Sequence, residues 1–209
     1  MRKLLIFGVY SFLFHRLTLQ YMLNLKVFEQ FPHLTTKRLR LRDIRLQDAA
    51  AIFSMRSNGR VNQFIPRPEM SAPEQAEQLV VKTREAFLNH AGIGWAAMLR
   101  DKEECIGTCG YNSIDLLNHR AEIGGEMATE YWGKQIAQEA VKEILRFGME
   151  EIGFHTIEAK VSPLNRGAVF ILESLGFVKE AHFKDRIYFQ GKYSDMAVYT
   201  LHKFIGKTV

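Results

Sequence analysis

The sequence predicts a mixed α+β fold (α/β mixed): one twisted, mostly antiparallel sheet of about seven strands with helices on both faces. Three observations lead there. Short runs that alternate apolar and polar residues recur along the chain, the period of a half-buried strand, and most connect through a short turn to the next run. Only one stretch, from Ala121 to Val161, reads as strand, helix, strand, which is the connection a parallel pair requires. The helix in that stretch carries Ile136, Ala137, Ala140, Val141, Ile144, Leu145, Met149 and Ile152 at helical spacing, so it has one face to bury against a sheet.

Taken in order, the chain divides into an extension, 1–33, and a domain, 34–205. In the extension Arg2 and Lys3 precede an apolar run, Leu4–Phe14, followed by His15 and Arg16. This looks like a signal peptide, but no small-x-small cleavage site follows. Three readings stay open: an added helix packing on the domain, sequence upstream of the working start at Met22, or a weak membrane address. The domain opens on Leu39–Ile44, which alternates as a strand. Gln47–Ser57 reads as a helix with Ala49, Ile52, Phe53 and Met55 inward, ended at Asn58-Gly59. Ser71-Ala-Pro-Glu74 reads as a capping box with Pro in the first turn. It opens a helix to about Asn89 with Leu79, Val80, Thr83, Ala86 and Phe87 inward. Gly92–Gly94 breaks the chain. Trp95–Arg100 and Cys105–Ile114 follow as strands around the Asp101–Glu104 turn, and Asp115–Arg120 leads into the strand Ala121–Met127. The central helix ends at Gly153, where a left-handed cap costs least. Thr156–Val161 is a strand stopped by Ser162-Pro-Leu-Asn165. Arg166–Leu175 is a short helix ended by Gly176. Phe177–Phe189 and Tyr193–Leu201 close the domain as a hairpin around Gln190-Gly191.

Composition excludes several classes. With 47% hydrophobic and 24% charged residues in 209, the chain is of ordinary soluble globular type. It holds no apolar run of the length a membrane helix needs, so no stable membrane span is expected. The net charge of +5 is concentrated at the start, where Arg2, Lys3, Arg16, Lys26, Lys37, Arg38, Arg40 and Arg42 face only Glu29 and Asp43. The rest is close to neutral, which argues against a nucleic-acid groove. Cys105 and Cys109 stand four apart in a strand-like run, about 13 Å and too far for a disulfide. They read as reduced thiols of a cytoplasmic protein, and they offer too few ligands for a metal.

Strand, short loop and helix between Ala121 and Gly153 form the arrangement that points free backbone N–H groups at an anion. The loop has one Gly and a Lys but neither GxGxxG nor GxxxxGK[ST], so it is neither a dinucleotide fold nor a P-loop. The local physics leaves the anion unnamed.

Four pieces in this order resemble the GNAT superfamily of acyl-CoA-dependent N-acyltransferases. Within it they look like the ribosomal-protein N-terminal (alanine/serine) acetyltransferase subgroup, over about Leu34–Leu201. They are Leu34-Thr-Thr-Lys-Arg-Leu-Arg-Leu-Arg42; Ala121-Glu-Ile-Gly124 with Glu130-Tyr-Trp-Gly-Lys134 and Glu139-Ala140; Asn165 to Gly176-Phe177; and Tyr188-Phe-Gln-Gly-Lys-Tyr-Ser-Asp195. Three positions depart from the pattern. Gln135 stands where the phosphate loop usually has its second Gly, Leu172 where many members have a Tyr general acid, and Ala168 where the subgroup often has Ser.

The resemblance implies a GNAT-type sheet, acetyl-CoA as acetyl donor, no metal, and a monomer or homodimer. It implies an amine acceptor: a protein N-terminus, or a small amine such as an amino acid, polyamine or antibiotic. By position Met127 and Ala128 lie at the splayed strand end that meets the donor carbonyl. Gly133, Lys134, Gln135, Ile136, Ala137 and Gln138 would hold the diphosphate. Asn165 and Phe170 would line the pantetheine arm, although Asn165 also reads as a helix N-cap and Phe170 as core. The acceptor pocket would form from Asn58–Met70 and Lys184–Tyr193, where no acidic cluster awaits a polyamine. For the proton of the amine, Glu126 is the preferred base and Glu122 the second. At four residues apart in a strand, about 13 Å, they cannot share one proton site, and either also reads as an ion-pair partner. Tyr188, Ser162 or water would protonate the leaving thiolate. A catalytically silent acyl-CoA-binding or interaction module is the alternative to an enzyme.

Overall fold

The computed structural model describes residues 23–203; the apolar run Leu4–Phe14 lies outside them. Eight strands form one sheet in the order β1-β2-β3-β4-β5-β6-β8-β7. They are β1 (Leu34–Thr35), β2 (Leu39–Asp43), β3 (Ile93–Leu99), β4 (Gly107–Asp115), β5 (Arg120–Met127), β6 (Thr156–Val161), β7 (Val178–Phe189) and β8 (Lys192–His202). The strand beyond the expected seven is the two-residue β1. Every neighbouring pair is antiparallel except β5 and β6, the pair that the single strand–helix–strand stretch requires. The helices are α1 (Ala49–Arg56), α2 (Gly59–Asn62), α3 (Pro73–Leu88), α4 (Ile136–Arg146) and α5 (Arg166–Ser174).

Strand alternation builds two cores. On one face Leu39, Leu41, Trp95, Ala97, Ala121, Ile123 and Ile157 pack with Ile136, Ala140, Ile144 and Leu145 of α4 and Leu172 of α5. On the other, Ile44, Ala96 and Met98 pack with Ile52 and Met55 of α1 and Ala76 and Val80 of α3. A slip of one residue in β3 would exchange Trp95 and Ala97 for Ala96 and Met98, so the volumes of the two cores fix the register. Residues before β1 join the first core: Phe28 is buried, stacks on His90 and packs at a tilt against Phe87. Trp95 Nε1 donates to the Pro32 carbonyl at 2.7 Å.

Local chemistry sets the ends. The α3 box is displaced by one residue from the sequence reading: Ala72 is the N-cap, and Gln75 Oε1 accepts from the amides of Ser71 and Ala72 at 2.7 and 3.2 Å. Gln190 and Gly191 are both left-handed, φ 48° and 78°, as the tight hairpin of β7 and β8 demands. Past Arg146 the α4 helix widens into a π turn, Phe147–Ile152. Tyr111 Oη donates to the Ile144 carbonyl at 2.5 Å, an acceptor that an α ladder would give to the amide of Gly148. A Cβ on residue 148 would lie 2.1 Å from Tyr111 Oη, so glycine admits the intruding hydroxyl and the ladder widens around it. Gly153 then closes the helix at φ 95°. Arg38, Arg40 and Arg42, part of the basic N-terminal excess, are spent internally on Glu139, Glu103 and Asp48.

Among the described residues no helix is long and apolar enough to cross a membrane. Cys105 and Cys109 are free thiols; burial pushes them up to about 11 and about 12.

Candidate active site

The parallel pair opens into a notch. β5 and β6 are paired only at Arg120 with Thr156, Ala121 with Ile157 and Glu122 with Glu158, although β5 continues to Met127 and β6 to Val161. The Ala128 amide donates to the Ile106 carbonyl at 3.0 Å, so even-numbered amides at this end of β5 face β4. Alternation turns the amides of Gly125 and Met127 the other way, into the notch that β6 has left. Ion pairs lace its closed end: Lys160 Nζ lies 2.6 Å from Glu122, and Arg120 lies 3.1 Å from Glu158. At the open end Trp132 Nε1 donates to the Met127 carbonyl at 2.8 Å.

The loop between β5 and α4 is shaped by two left-handed residues, Gly133 at φ 71° and Gln135 at φ 58°. Gln135 is the N-cap of α4, and its side chain makes no capping bond. The first-turn amides of Ile136, Ala137 and Gln138 therefore have no side-chain cap from it, and the positive end of the helix dipole is left open. A Cβ on Gly133 would meet nothing within 4 Å, so the loop is open there too. Lys134 places its ammonium over the Tyr131 ring, 5.6 Å from the centroid.

Arg38 straps this loop from below. Its Nη1 and Nη2 donate to the carbonyls of Lys134 and Gln135 at 2.9 and 3.1 Å, and its Nε donates to Glu139 at 2.6 Å. Glu139 also accepts from the Arg38 amide at 2.8 Å and from Thr36 Oγ1 at 2.5 Å. Burial pushes the Glu139 carboxyl up, but the bonds from Thr36 and Arg38 outweigh it and hold it below the usual carboxylate range. With two consecutive carbonyls drawn to one guanidinium, the loop is held in a fixed orientation. Sequence reasoning missed Arg38 as a site residue. The only signal was its place in the run that resembles the subgroup's opening strand.

On the sheet face opposite α4 lies Glu126. It accepts from Arg56 Nε at 2.6 Å, from Arg67 Nη2, and from Thr108 Oγ1 at 3.3 Å, and its side chain is 2% exposed. Asn62 orients the cluster: its Oδ1 accepts from Arg67 Nε at 2.8 Å, and its Nδ2 donates to the Arg56 carbonyl at 2.8 Å. Burial pulls the Arg67 guanidinium down, against the upward pull of Glu126. Arg56 and Arg67 were not expected at the site; they stand 70 and 59 residues from Glu126, and no local spacing joins them.

The remaining expected residues fall as follows. Met127 and Ile136 are both buried in the core beneath α4, while the amide of Ala128 is taken by the ladder and cannot also meet a ligand. Gln138 donates to Ser174 Oγ at 2.9 Å, joining α4 to α5. Asn165 caps α5 through Oδ1, which accepts from the Ala168 amide at 3.1 Å. Phe170 is 66% exposed on α5 and so is not core. Tyr188 is on the hairpin, 64% exposed, with its ring centroid 4.8 Å from that of Tyr193. A groove of about 860 Å³ runs along the outer side of α4 between Lys142, Met149, Leu175 and Leu201. It touches Gln135 and Gln138 but no residue of β5 or β6.

Comparison with known proteins identifies relatives of this chain. The family model described as an acetyltransferase (GNAT) domain matches residues 38–178. YoaA of Bacillus subtilis, an uncharacterized N-acetyltransferase, is 34% identical over 173 residues, 83% of this chain and 98% of that protein. YdaF of the same organism, a putative ribosomal N-acetyltransferase, is 27% identical over 171 residues, 82% of this chain and 92% of that one. Among solved structures, RimL, a ribosomal L7/L12 alpha-N-protein acetyltransferase in complex with coenzyme A, superimposes with a TM-score of 0.76. That match is at 16% identity and covers 82% of this chain and 98% of that one, a likeness of fold. With a family model over most of the domain and a relative aligned along nearly its whole length, the chain belongs to the GNAT family of N-acetyltransferases.

Proposed function

We propose that the protein transfers the acetyl group of acetyl-CoA to a primary α-amino group, such as that of a protein N-terminus, by direct attack of the amine on the thioester. The observation that carries this is the notch: two unpaired strand amides lie beside an uncapped helix N-terminus that a dedicated arginine strap holds in place. In this reading the loop from Gly133 to Gln138 receives the diphosphate, the notch receives the pantetheine arm, and the amides of Gly125 and Met127 face the carbonyl oxygen as it gains charge. The names of YdaF and RimL support a protein N-terminus as acceptor. The amine nitrogen bonds to the acetyl carbon, the C–S bond breaks, and the sulfur leaves as a thiolate that takes up one proton while the nitrogen gives one up.

Glu126 enters this reading as the anchor of two arginines and not as the base expected from the sequence, because both its oxygens already accept from guanidinium groups. Glu122, the other expected base, is half-buried and bonded to Lys160. An α-amino group titrates near ~8, so solvent reached through the open face is a sufficient proton acceptor at neutral pH. The thiolate takes its proton from the same solvent, with the exposed Tyr188 as the alternative donor. A second reading, an acyl-CoA-binding module without turnover, draws on the occupied Glu126 and on the absence of Tyr at Leu172. Calorimetry with coenzyme A, followed by thiol release from acetyl-CoA with a panel of N-terminal peptides and small amines, separates the two. Uptake with release supports the transferase, uptake without release the module, and no uptake overturns both.

A further inference from the structure

The acceptor side of the notch is positively charged in a way that selects its partner. α4 and α5 cover one face of the sheet, and the open loop at the start of α4 holds the donor in the reading above. An attacking amine must then arrive from the other face, where β5 presents Glu126. Two guanidinium groups share this single carboxylate, so the cluster keeps one positive charge in excess. Arg56 uses only Nε on Glu126, and Arg67 uses Nε on Asn62 and Nη2 on Glu126. Both Nη groups of Arg56 and Nη1 of Arg67 have no partner among the described residues. They are not sealed off either: the two side chains are 23% and 21% exposed, while the carboxylate that anchors them is 2% exposed. The wall continues in the same sign. Arg60 lies over the Trp132 ring, 5.7 Å from its centroid, and Trp132 is the residue that bonds the Met127 carbonyl at the mouth of the notch. From Arg56 to Met70 three arginines face one acid, Glu69.

We propose that the acceptor is an amine that carries a carboxylate near the reacting nitrogen, and that Arg56 and Arg67 receive that carboxylate. A fixed guanidinium with free Nη groups offers the parallel pair of donors that a carboxylate accepts. Asn62 and Glu126 hold the pair in position before any ligand arrives, so little ordering is lost on binding. The excess charge also acts on the amine: a nearby cation disfavours its ammonium form, which helps to produce the neutral nucleophile. The same field disfavours polyamines and other multiply cationic acceptors. The inference rests on the transferase reading and narrows it to acceptors of one chemistry. The carboxylate can come from a free amino acid or from an acidic side chain next to a peptide's N-terminal residue.

The test is thiol release from acetyl-CoA by the full chain with matched acceptors that differ only in that group. One arm compares free amino acids with their carboxamides. The other compares peptides with Glu or Asp at the second position against those with Gln or Asn. In one arm the acid is expected to exceed the amide in kcat/KM by about tenfold to a hundredfold, the scale of a lost charge-assisted contact. In Arg56→Gln and Arg67→Gln that ratio falls towards one, and coenzyme A affinity measured alongside shows that the fold is intact. The arm that responds identifies the source of the carboxylate. Acids and amides turned over alike in both arms, or a preference that survives both substitutions, would overturn the inference and leave the transferase reading standing. Release from no acceptor removes that reading and this one with it.

Discussion

Replacing Glu126 by Gln separates two roles that the position could have. As an anchor it supplies acceptors to Arg56 and Arg67 from a site where its own side chain is 2% exposed. Gln keeps one oxygen but turns an amide NH₂ towards a guanidinium donor, so one of two charge-assisted bonds is lost and the arginines lose their counter-charge. Breaking one partner of a buried pair costs about 3–5 kcal/mol. The arginines keep 23% and 21% of their surface in water, which softens the loss to about 2–3 kcal/mol. For a domain of this size that lowers Tm by about 5–10 °C. Turnover at saturating acceptor should fall less than about tenfold, because no proton passes through the residue. A general base behaves in the opposite way, with a rate loss of about 10²–10⁴ and little change in stability. Thermal melts of the two proteins beside kcat at saturating acceptor decide the matter. An unchanged Tm with a hundredfold loss of kcat would refute the anchor and restore Glu126 as base.

Four further outcomes follow from the same geometry. Arg38→Ala removes the donors to the Lys134 and Gln135 carbonyls; calorimetry should show coenzyme A binding weakened about tenfold, equivalent to about 1.4 kcal/mol, and equal affinity would show that the strap does not shape the loop. Gly133→Asp adds a Cβ at φ 71° and a negative charge at the anion site, so coenzyme A affinity should drop, more steeply at low salt. Gln135→Gly relieves a left-handed non-glycine residue, which costs about 1 kcal/mol, and should leave Tm equal or up to a few degrees higher; a clear fall would mean that the Gln135 side chain holds a contact of its own. Cys105 and Cys109 titrate at about 11 and about 12 in the folded protein against roughly 8.5 when unfolded. Between those values the folded state holds protons that the unfolded state has lost, so these thiols make stability fall as pH rises above roughly 8.5; native protein at pH 8 should resist a thiol reagent, and rapid labelling would contradict the burial.

Most of the fold was legible because its rules are local. Periods of two and of 3.6, a Gly closing the helical runs of α4 and α5, and a hairpin turn are written into neighbouring residues, and they placed every strand of the sheet except β1. That strand has two residues, too few to show a period. The α3 box slipped because Ser71 with Glu74 and Ala72 with Gln75 have the same spacing, and only the backbone geometry decides between them. Gly133 and Gln135 were recognisable as loop residues from the pattern around them. Glu126 shows where such reading stops. Its strand and its face followed from alternation, but its chemistry depends on Arg56 and Arg67, which arrive from a helix end and a loop far along the chain.

The parity of β5 explains why one strand can serve both substrates. Ile123 and Met127 point into the core beneath α4, so that helix sits close enough for its first turn to open beside the strand end. The side chains of Glu122 and Glu126 point to the other face, where one binds Lys160 and the other the two arginines. The amides that escape pairing, at Gly125 and Met127, lie edge-on between those faces, in the gap that β6 leaves after Glu158. Donor and acceptor can therefore approach from opposite sides and meet at the strand's edge. A one-residue slip in β5 would bury the carboxylates under α4 and turn the wrong amides to the gap. The bulge between Tyr111 and Ser113 in β4 sets that register, because Asn112 has no partner on β5 and lies over Gly124, where a Cβ would come within 2.3 Å of its Nδ2. Gly124→Ala should therefore cost more than a glycine-to-alanine change in an ordinary strand. It should also lower turnover without altering any charged group at the site, and urea unfolding beside a thiol-release assay would show both effects together. Full activity in a folded Gly124→Ala protein would mean that the register is held elsewhere.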